Sequence, residues 1–400
     1  MSKVMAVNAG SSSLKFQLIS MPEESVITSG QVERIGYEDS IFTIKYDGKK
    51  DEAVLPIKDH AVAVRILLDA LVEKKIVNDL SEINGVGHRV VQGGMKYNKS
   101  VIVDEEAVET VRELSALAPL HNPANLVGYH AFKESLPNVG HVFVFDTAFH
   151  QSMPEESYIY PLPYEYFEKY GVRRYGYHGT SHLYVTQRCL EHLGNPEHSN
   201  IVTCHLGNGC SITAVKDGKS YKTSMGFTPL AGTVMGTRCG DVDPSIVNFL
   251  CDKLNISAQE VTNIMNKKSG LLGVSGISGD SRDIKKGTES EDPKVAYRCS
   301  LAQKLQINSF VEIAGSYITL LGGCDAIVFT AGIGENDADI RRMVCDALAP
   351  VFGIEINEEE NKKRGQETLI STPNSKIKVF VIPTNEEVMI ARDTAKLLNL

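Results

Sequence analysis

The sequence predicts an α/β protein of two related halves, each a mixed sheet flanked by helices. Residues 201–215, IVTCHLGNGCSITAV, read as an apolar strand, a turn of Gly, Asn and Gly, and a second strand, with His205 ending the first. The chain opens on the same plan: VMAVNAGSSSLKFQLI, over 4–19, carries Asn8-Ala9-Gly10-Ser11-Ser12 at its turn. Aligning Gly10 with Gly209 sets the copies about half a chain apart and suggests a duplication around a shared cleft. Two later units, DAIVFTAGIGENDADIRRMV (325–344) and VFVIPTNEEVMIARDTAKLL (379–398), each run strand, polar turn, helix. Glycine tolerates positive φ and lets the backbone approach a ligand, so successive N–H groups can converge on an anion. A plain hairpin explains either copy alone, whereas two copies, one with a histidine before its glycine, favour a phosphate cradle.

The elements follow in order. IFTIKYD (41–47) alternates as a strand, and HAVAVRILLDALVEKK (60–75) has helical spacing. INGVGHRVVQGG (83–94) sets Arg89 in a loop near a site or at a tight strand end. Asp104 caps a helix through EEAVETVRELSAL, which Pro119 and Pro123 bracket, leaving His121 on a loop. VGHVFVFDTAFHQSMP (139–154) is a buried-type strand with Asp146 after its apolar run, where parallel sheets place functional side chains. The Pro- and Tyr-rich stretch 158–170 marks a domain boundary, after which Thr180 or Ser181 caps a helix closed by Gly194. Asp243-Pro244 opens a further helix. The span of about 296–321 is nearly apolar around its circumference, as suits a helix buried in the domain or in a subunit interface.

Four hundred residues exceed one ordinary core and point to two domains. A composition of 42% hydrophobic and 23% charged residues is that of a folded protein. The net charge of −9 argues against nucleic acid or an anionic membrane as partner, so placed arginines must hold any anionic substrate. The eight cysteines contain no CxxC pair and none precedes Cys189, a usage expected of reduced cytoplasmic thiols. Neither an export signal nor a membrane span is expected, because Asn8 and Gly10 interrupt the opening apolar run and no stretch reaches about 20 apolar residues.

Among candidate site residues, Arg238 lies in GTRCGDVDP between glycines that deny it a packed environment, and a guanidinium fork suits phosphate or carboxylate. Arg89 fits a surface loop equally well. Asp241 and Asp243 have a local explanation, since Asp243 serves as a helix cap. His178 and His182 stand four apart but without HExxH, so zinc is not expected; His178, beside Gly179, suits a donor to an anion, and His182 suits a structural role. Glu386 and Glu387 open a helix, where acidic residues are favoured by the dipole; either could instead reach magnesium.

VNAGSSSLK, GHRVVQGG, PLHNP, FDTAFH, YGYHGTSH, HLGNGCSITAVKDG, GTRCGDVDP, GIGEN and PTNEE follow one another along the chain. On these segments it resembles the acetate kinase family over nearly its full length. The resemblance implies duplicated actin-like (ribonuclease H-like) domains around a nucleotide cleft. One would span 1–150, completed by the C-terminal helix 386–400; the other, 151–385, would bind the nucleotide. It also implies a homodimer and a reversible transfer of the ATP γ-phosphoryl group to acetate, giving acetyl phosphate and ADP. Mg²⁺, or Mn²⁺ in its place, would serve as cofactor.

Carried over by position, the resemblance puts the metal at Asn8 and Glu386, and the substrate-side arginines at Arg89 and Arg238. His178 would contact the transferring phosphoryl group, and Asp146 matches an essential aspartate. The nucleotide would meet His205, Leu206, Gly207, Asn208 and Gly209, then Asp280, Ser281 and Arg282, and then Gly332, Ile333, Gly334, Glu335 and Asn336, with Lys15 on the same side. Val91, Leu120 and Pro229 would form the apolar acid pocket. Tyr177, where family members often have Phe, would add a polar atom beside it. A propionate or butyrate kinase is the alternative within the family, since one methylene in an apolar pocket discriminates by only about 1–3 kcal/mol. A pyrophosphate-dependent enzyme is disfavoured by the open GIGEN turn, and a non-catalytic nucleotide-binding protein by retention of both arginines, Asn8, Glu386 and His178.

Overall fold

The computed structural model describes residues 1–119 and 121–400, and it divides into two compact units. One comprises Met1–Phe149 with Asn385–Leu400, the other His150–Thr384. The first unit holds eight strands: β1 (Ser2–Ala9), β2 (Ser13–Met21), β3 (Ser25–Glu33), β4 (Ser40–Tyr46), β5 (Lys49–Leu55), β6 (Ile83–Val90), β7 (Val101–Ile102) and β8 (Gly140–Phe145), in the order β5-β4-β3-β2-β1-β6-β8-β7. The second holds β9 (Asn200–Leu206), β10 (Cys210–Lys216), β11 (Lys219–Thr223), β12 (Ala326–Thr330), β13 (Thr368–Leu369) and β14 (Lys378–Val381), in the order β11-β10-β9-β12-β14-β13.

The run β3-β2-β1-β6-β8-β7 has the same plan as β11-β10-β9-β12-β14-β13. In each, two antiparallel pairs lead into two parallel pairs, and an antiparallel edge strand ends the sheet. The repeated hairpin is therefore the centre of a repeated sheet. Its register shifts the alignment expected from sequence, because Ala9 pairs with Leu14 in the first copy and Leu206 with Cys210 in the second. Gly10 thus corresponds to Gly207, not Gly209, and Asn8 corresponds to His205; the first turn is one residue longer.

Alternation sends β1 side chains to both faces of its sheet. Met5 and Val7 join the core with Leu67, Leu71 and Phe132 from the helices His60–Glu73 and Asn122–Ser135. Val4 and Ala6 pack with Val388, Ile390 and Ala395 of the C-terminal helix Glu386–Leu398. Glycines on β6 and β8 let that helix lie close: a Cβ on Gly87 would stand 2.3 Å from Thr394 Oγ1, and one on Gly140 would stand 2.7 Å from Leu398 Cδ2.

Two local expectations are corrected. Neither Thr180 nor Ser181 caps its helix, which runs Gly179–His192 from His178 in the left-handed region at φ 56°, because the Ser181 hydroxyl is committed to His205 and Thr384. The long helix Pro293–Leu320 buries one face, with Ala302, Phe310, Ala314 and Ile318, and leaves Tyr297, Leu301 and Leu305 exposed. Among the described residues the eight cysteines are unpaired, and no helix is long and apolar enough to cross a membrane.

Candidate active site

In the first unit the site grows from the carboxyl ends of adjacent parallel strands. β6 pairs with both β1 and β8, so Arg89 near its end meets Asn8 from β1 and Asp146 just past β8. Arg89 Nε donates to both Asp146 carboxylate oxygens at 2.9 and 3.1 Å, Nη2 donates to Oδ2, and Nη1 donates to Asn8 Oδ1 at 3.3 Å. Glu386 Oε2 lies 3.9 Å from the same Nε. Burial alone would lower the Arg89 pKa, but the Asp146 and Glu386 carboxylates more than offset it, so the side chain stays a cation. Burial first, and then Asp146 and Glu387, push the Glu386 carboxyl up to about 7 against the pull of Arg89.

Carboxylates thus crowd one guanidinium, and a hard cation would relieve that crowding. The donors suit magnesium, which takes one or two carboxylates and completes its shell with water and phosphate. Asn8 supplies an amide oxygen and Glu386 a carboxylate at the first turn of its helix, whose N-cap is Asn385. Lys15, exposed on the otherwise largely buried β2, stands across the hairpin from Asn8 in this unit, whereas the other expected nucleotide residues all lie in the second.

In the second unit the HLGNG turn gathers its neighbours. The His178 ring stacks on His205 with centroids 4.0 Å apart, and a Cβ on Gly209 would stand 3.3 Å from Arg238 Nη1 and 3.7 Å from His178 Nε2. Arg238 donates to the Pro229 carbonyl at 3.2 Å, and no carboxylate among the described residues lies within 4.0 Å of it. Burial lowers its pKa. A desolvated guanidinium without a carboxylate suits an incoming anion.

A cavity of about 1010 Å³ adjoins the turn. It gathers Gly207 and Asn208, the segment Asp280–Arg282, and Gly332, Ile333 and Asn336. Asp280 caps the helix Ser281–Gly287 and binds the Arg282 guanidinium, which holds its carboxyl down at about 2. His205, Leu206, Gly209, Gly334 and Glu335 do not line this cavity. The Glu335 carboxylate instead accepts from the backbone N–H groups of Ala331 and Thr384 at 2.8 and 3.1 Å, tying the GIGEN turn to the PTNEE turn.

Sequence reasoning missed Lys285, Lys286 and Arg364 on the cavity wall, and the buried Arg341 behind it. Arg341 donates to the Gly334 carbonyl and the Asn361 side chain, each at 2.8 Å. Its only sequence signal was a charge at a position of the helix Ala338–Phe352 whose spacing is otherwise apolar.

Of the expected acid pocket, Val91 is buried beyond β6, Pro229 is half-buried in the second unit, and Leu120 lies outside the described residues. The Tyr177 hydroxyl donates to the Phe227 carbonyl at 2.8 Å, so its polar atom is satisfied within the protein. Asp243 does not take the N-cap position expected of it, which falls on Pro244 ahead of the helix Ser245–Leu254; its carboxylate accepts from the Ser245 backbone N–H at 2.8 Å, and Asp241 accepts from the Gly232 N–H at 2.8 Å.

Duplicated sheets with glycine turns at their strand ends, placed arginines in each unit, and in the second unit a large cavity edged by charged side chains define a phosphotransferase. The acetokinase family profile matches residues 3–392. The acetate kinase of Bacillus velezensis is 55% identical over 398 residues, covering 99% of this chain and all of the relative. The crystal structure of Porphyromonas gingivalis acetate kinase superposes with a TM-score of 0.93 at 43% identity, covering both chains fully. That of a propionate kinase from Francisella tularensis gives 0.93 at 41% identity, covering 99% of this chain and 100% of the other. The chain belongs to the acetokinase family, enzymes that transfer a phosphoryl group to a carboxyl acceptor.

Proposed function

We propose that this enzyme transfers the γ-phosphoryl group of ATP to acetate, reversibly and directly in line, giving acetyl phosphate and ADP. The observation that carries the reading is Arg238: a desolvated cation without a carboxylate partner among the described residues, set beside His178 and the HLGNG turn. An anionic ligand would give that cation the counter-charge it lacks among the described residues.

The obstacle is bringing an anion to a polyanion, so electrostatic stabilisation dominates. Carboxylic acids titrate at roughly pH 4, so acetate needs no general base at neutral pH. Asp146, bound through both oxygens, orients Arg89 and holds its charge; it is not a proton acceptor in this scheme. Arg89 and Arg238 neutralise the acceptor carboxylate and the equatorial phosphoryl oxygens, and His178 donates a hydrogen bond to the transferring group. Asn8 and Glu386 would hold Mg²⁺, or Mn²⁺, which supplies charge neutralisation across the phosphates when bound. The cavity beside Asp280–Arg282 and Gly332–Asn336 would take the nucleotide. Val91, Leu120 and Pro229 would contact the acyl group.

The two units correspond in this reading to actin-like domains, and the exposed Tyr297, Leu301 and Leu305 suit a homodimer of a cytoplasmic enzyme. Incubation with MgATP, hydroxylamine and acetate, propionate or butyrate tests the proposal through acyl hydroxamate formation. Acetate should give the highest kcat/KM. ATP binding without hydroxamate from any of the three acids would overturn it, and a preference for propionate or butyrate would move the chain to the alternative specificity.

A further inference from the structure

β1 and β6 run parallel, paired as far as Val7 opposite His88, and then part. Continued, that register would set Ala9 opposite Val90, and the next rung of the ladder would join the Val91 N–H to the Ala9 carbonyl. A side chain occupies that rung instead. The Val91 N–H donates to Asn125 Oδ1 at 3.1 Å, and Asn125 Nδ2 donates to the Ala9 carbonyl at 2.8 Å. On its other edge β6 stays in register with β8, since the Asp146 N–H donates to the Val90 carbonyl at 3.0 Å. β6 therefore keeps to β8 and leaves β1 at the point where the Asn8 and Arg89 side chains meet.

Asn125 is buried, and it reaches the strand ends from the helix Asn122–Ser135. One turn further on, a Cβ on Gly128 would stand 2.5 Å from Ala9 Cβ, so glycine lets the helix lie against the end of β1. One turn earlier, Asn122 accepts from the Gln92 N–H at 3.0 Å and donates to the Gln92 carbonyl at 3.1 Å. From the helix His60–Glu73, His60 Nε2 donates to the Gly10 carbonyl at 2.8 Å. Buried side chains of two helices thus hold consecutive carbonyls of the turn after Asn8. An amide suits the rung because it offers a donor and an acceptor side by side; a carboxylate lacks the donor, and an aliphatic chain lacks both.

We infer that Asn125 is a positioning residue, a wedge in the β1–β6 ladder that sets the separation of Asn8 from Arg89. The inference rests on the reading of Asn8 and Arg89 as metal and substrate contacts. Without the amide, the Val91 N–H and the Ala9 carbonyl are buried groups in need of partners, and each is the other's nearest ladder partner. They would close to a direct hydrogen bond of about 2.9–3.0 Å. That closure draws the main chain carrying Asn8 towards the one carrying Arg89 and Val91.

The test compares the full chain carrying Asn125→Ala with Phe132→Leu, a core change in the same helix that leaves the rung alone. Asn125→Ala should lower kcat on the order of a hundredfold and raise KM for acetate, as a shift of about 1 Å at the reacting groups implies. KM for ATP should stay within about twofold, because the cavity proposed for the nucleotide lies in the other unit. A crystal structure of the variant should show the Val91 N–H bonded directly to the Ala9 carbonyl. Phe132→Leu should lower the urea midpoint and keep parental kcat and KM. If Asn125→Ala does not fold, Asn125→Ser, whose short hydroxyl cannot span both groups, is judged by the same criteria. An unchanged separation of Ala9 and Val91, parental kcat and KM in the Asn125 variant, or an equal kinetic loss in Phe132→Leu would overturn the wedge alone, provided Arg89→Ala is impaired. Parental turnover in both Asn8→Ala and Arg89→Ala would overturn the reading beneath it as well.

Discussion

Gly87→Ala should be among the most informative single-methyl changes in the chain. The added Cβ would stand 2.3 Å from Thr394 Oγ1, 2.4 Å from Ile390 Cγ2 and 3.2 Å from the Ile390 carbonyl oxygen, against about 3.5–4.0 Å for relaxed contacts. Thr394 cannot swing aside freely, because its hydroxyl donates to that carbonyl at 2.7 Å. The helix Glu386–Leu398 must lift, or Ile390 and Thr394 must leave their rotamers. Overpacking of this kind costs about 1–3 kcal/mol, and loss of the threonine hydrogen bond adds about 1, so destabilisation of roughly 2–4 kcal/mol is expected. The same helix begins at Glu386, 3.9 Å from Arg89 Nε, so lifting it displaces a carboxylate of the site. A shift of about 1 Å can cost on the order of a hundredfold in rate. Urea denaturation of the parent, Gly87→Ala, Ile390→Ala and the double variant measures the coupling. The double variant should be at least about 1 kcal/mol more stable than the sum of the single effects, because removing the Ile390 side chain makes room for the methyl. A Gly87→Ala protein within about 0.5 kcal/mol of the parent, with parental kcat, would refute the close-approach argument.

Arg238→Ala should lose about 10³ or more in kcat while its urea midpoint stays at the parental value; near-normal turnover would remove Arg238 from the phosphoryl site. Arg341→Met should destabilise by about 2–4 kcal/mol, since it strips hydrogen bonds from the buried Gly334 carbonyl and Asn361, and should raise KM for ATP more than KM for acetate. Steady-state kinetics beside denaturation separates those two effects. The enzyme should also lose stability in acid. Burial holds His141 and His150 at about 4, so between there and 6.5 the unfolded chain binds more protons than the folded one. Their contribution is whole above about pH 6.5 and falls as pH drops towards 4, by up to about 3 kcal/mol for each histidine. Urea midpoints at about pH 7.5 and 5 measure it, and in His150→Gln the loss on acidification should be smaller.

Local patterns in the chain were enough to find most of the strands, though not β3, β5, β7 or β13, together with the helix from Asp104 and both hairpin turns, because caps, alternation and glycine act within a few residues. They also exposed the duplication, although the ladder, and not the spacing of glycines, set which residues correspond. Motifs drew attention to Arg238 and the HLGNG turn. Arg89 stayed ambiguous: a guanidinium between glycines reads equally as a loop or a strand end, and its meaning comes from Asn8 and Asp146, brought in by strand pairing across 81 and 57 residues.

The amino-acid sequence by itself determined the α/β class, the two halves and the family, since these rest on periodicity and on ordered motifs. Tertiary structure decided which apolar strand lies beside which, the return of the last helix to the first unit through Gly85, Gly87 and Gly140, and the seat of the Asn125 amide between β1 and β6. Those features depend on contacts between distant segments, where many apolar strands are equivalent partners by composition. Shape, register and the need to satisfy each buried polar atom select one arrangement.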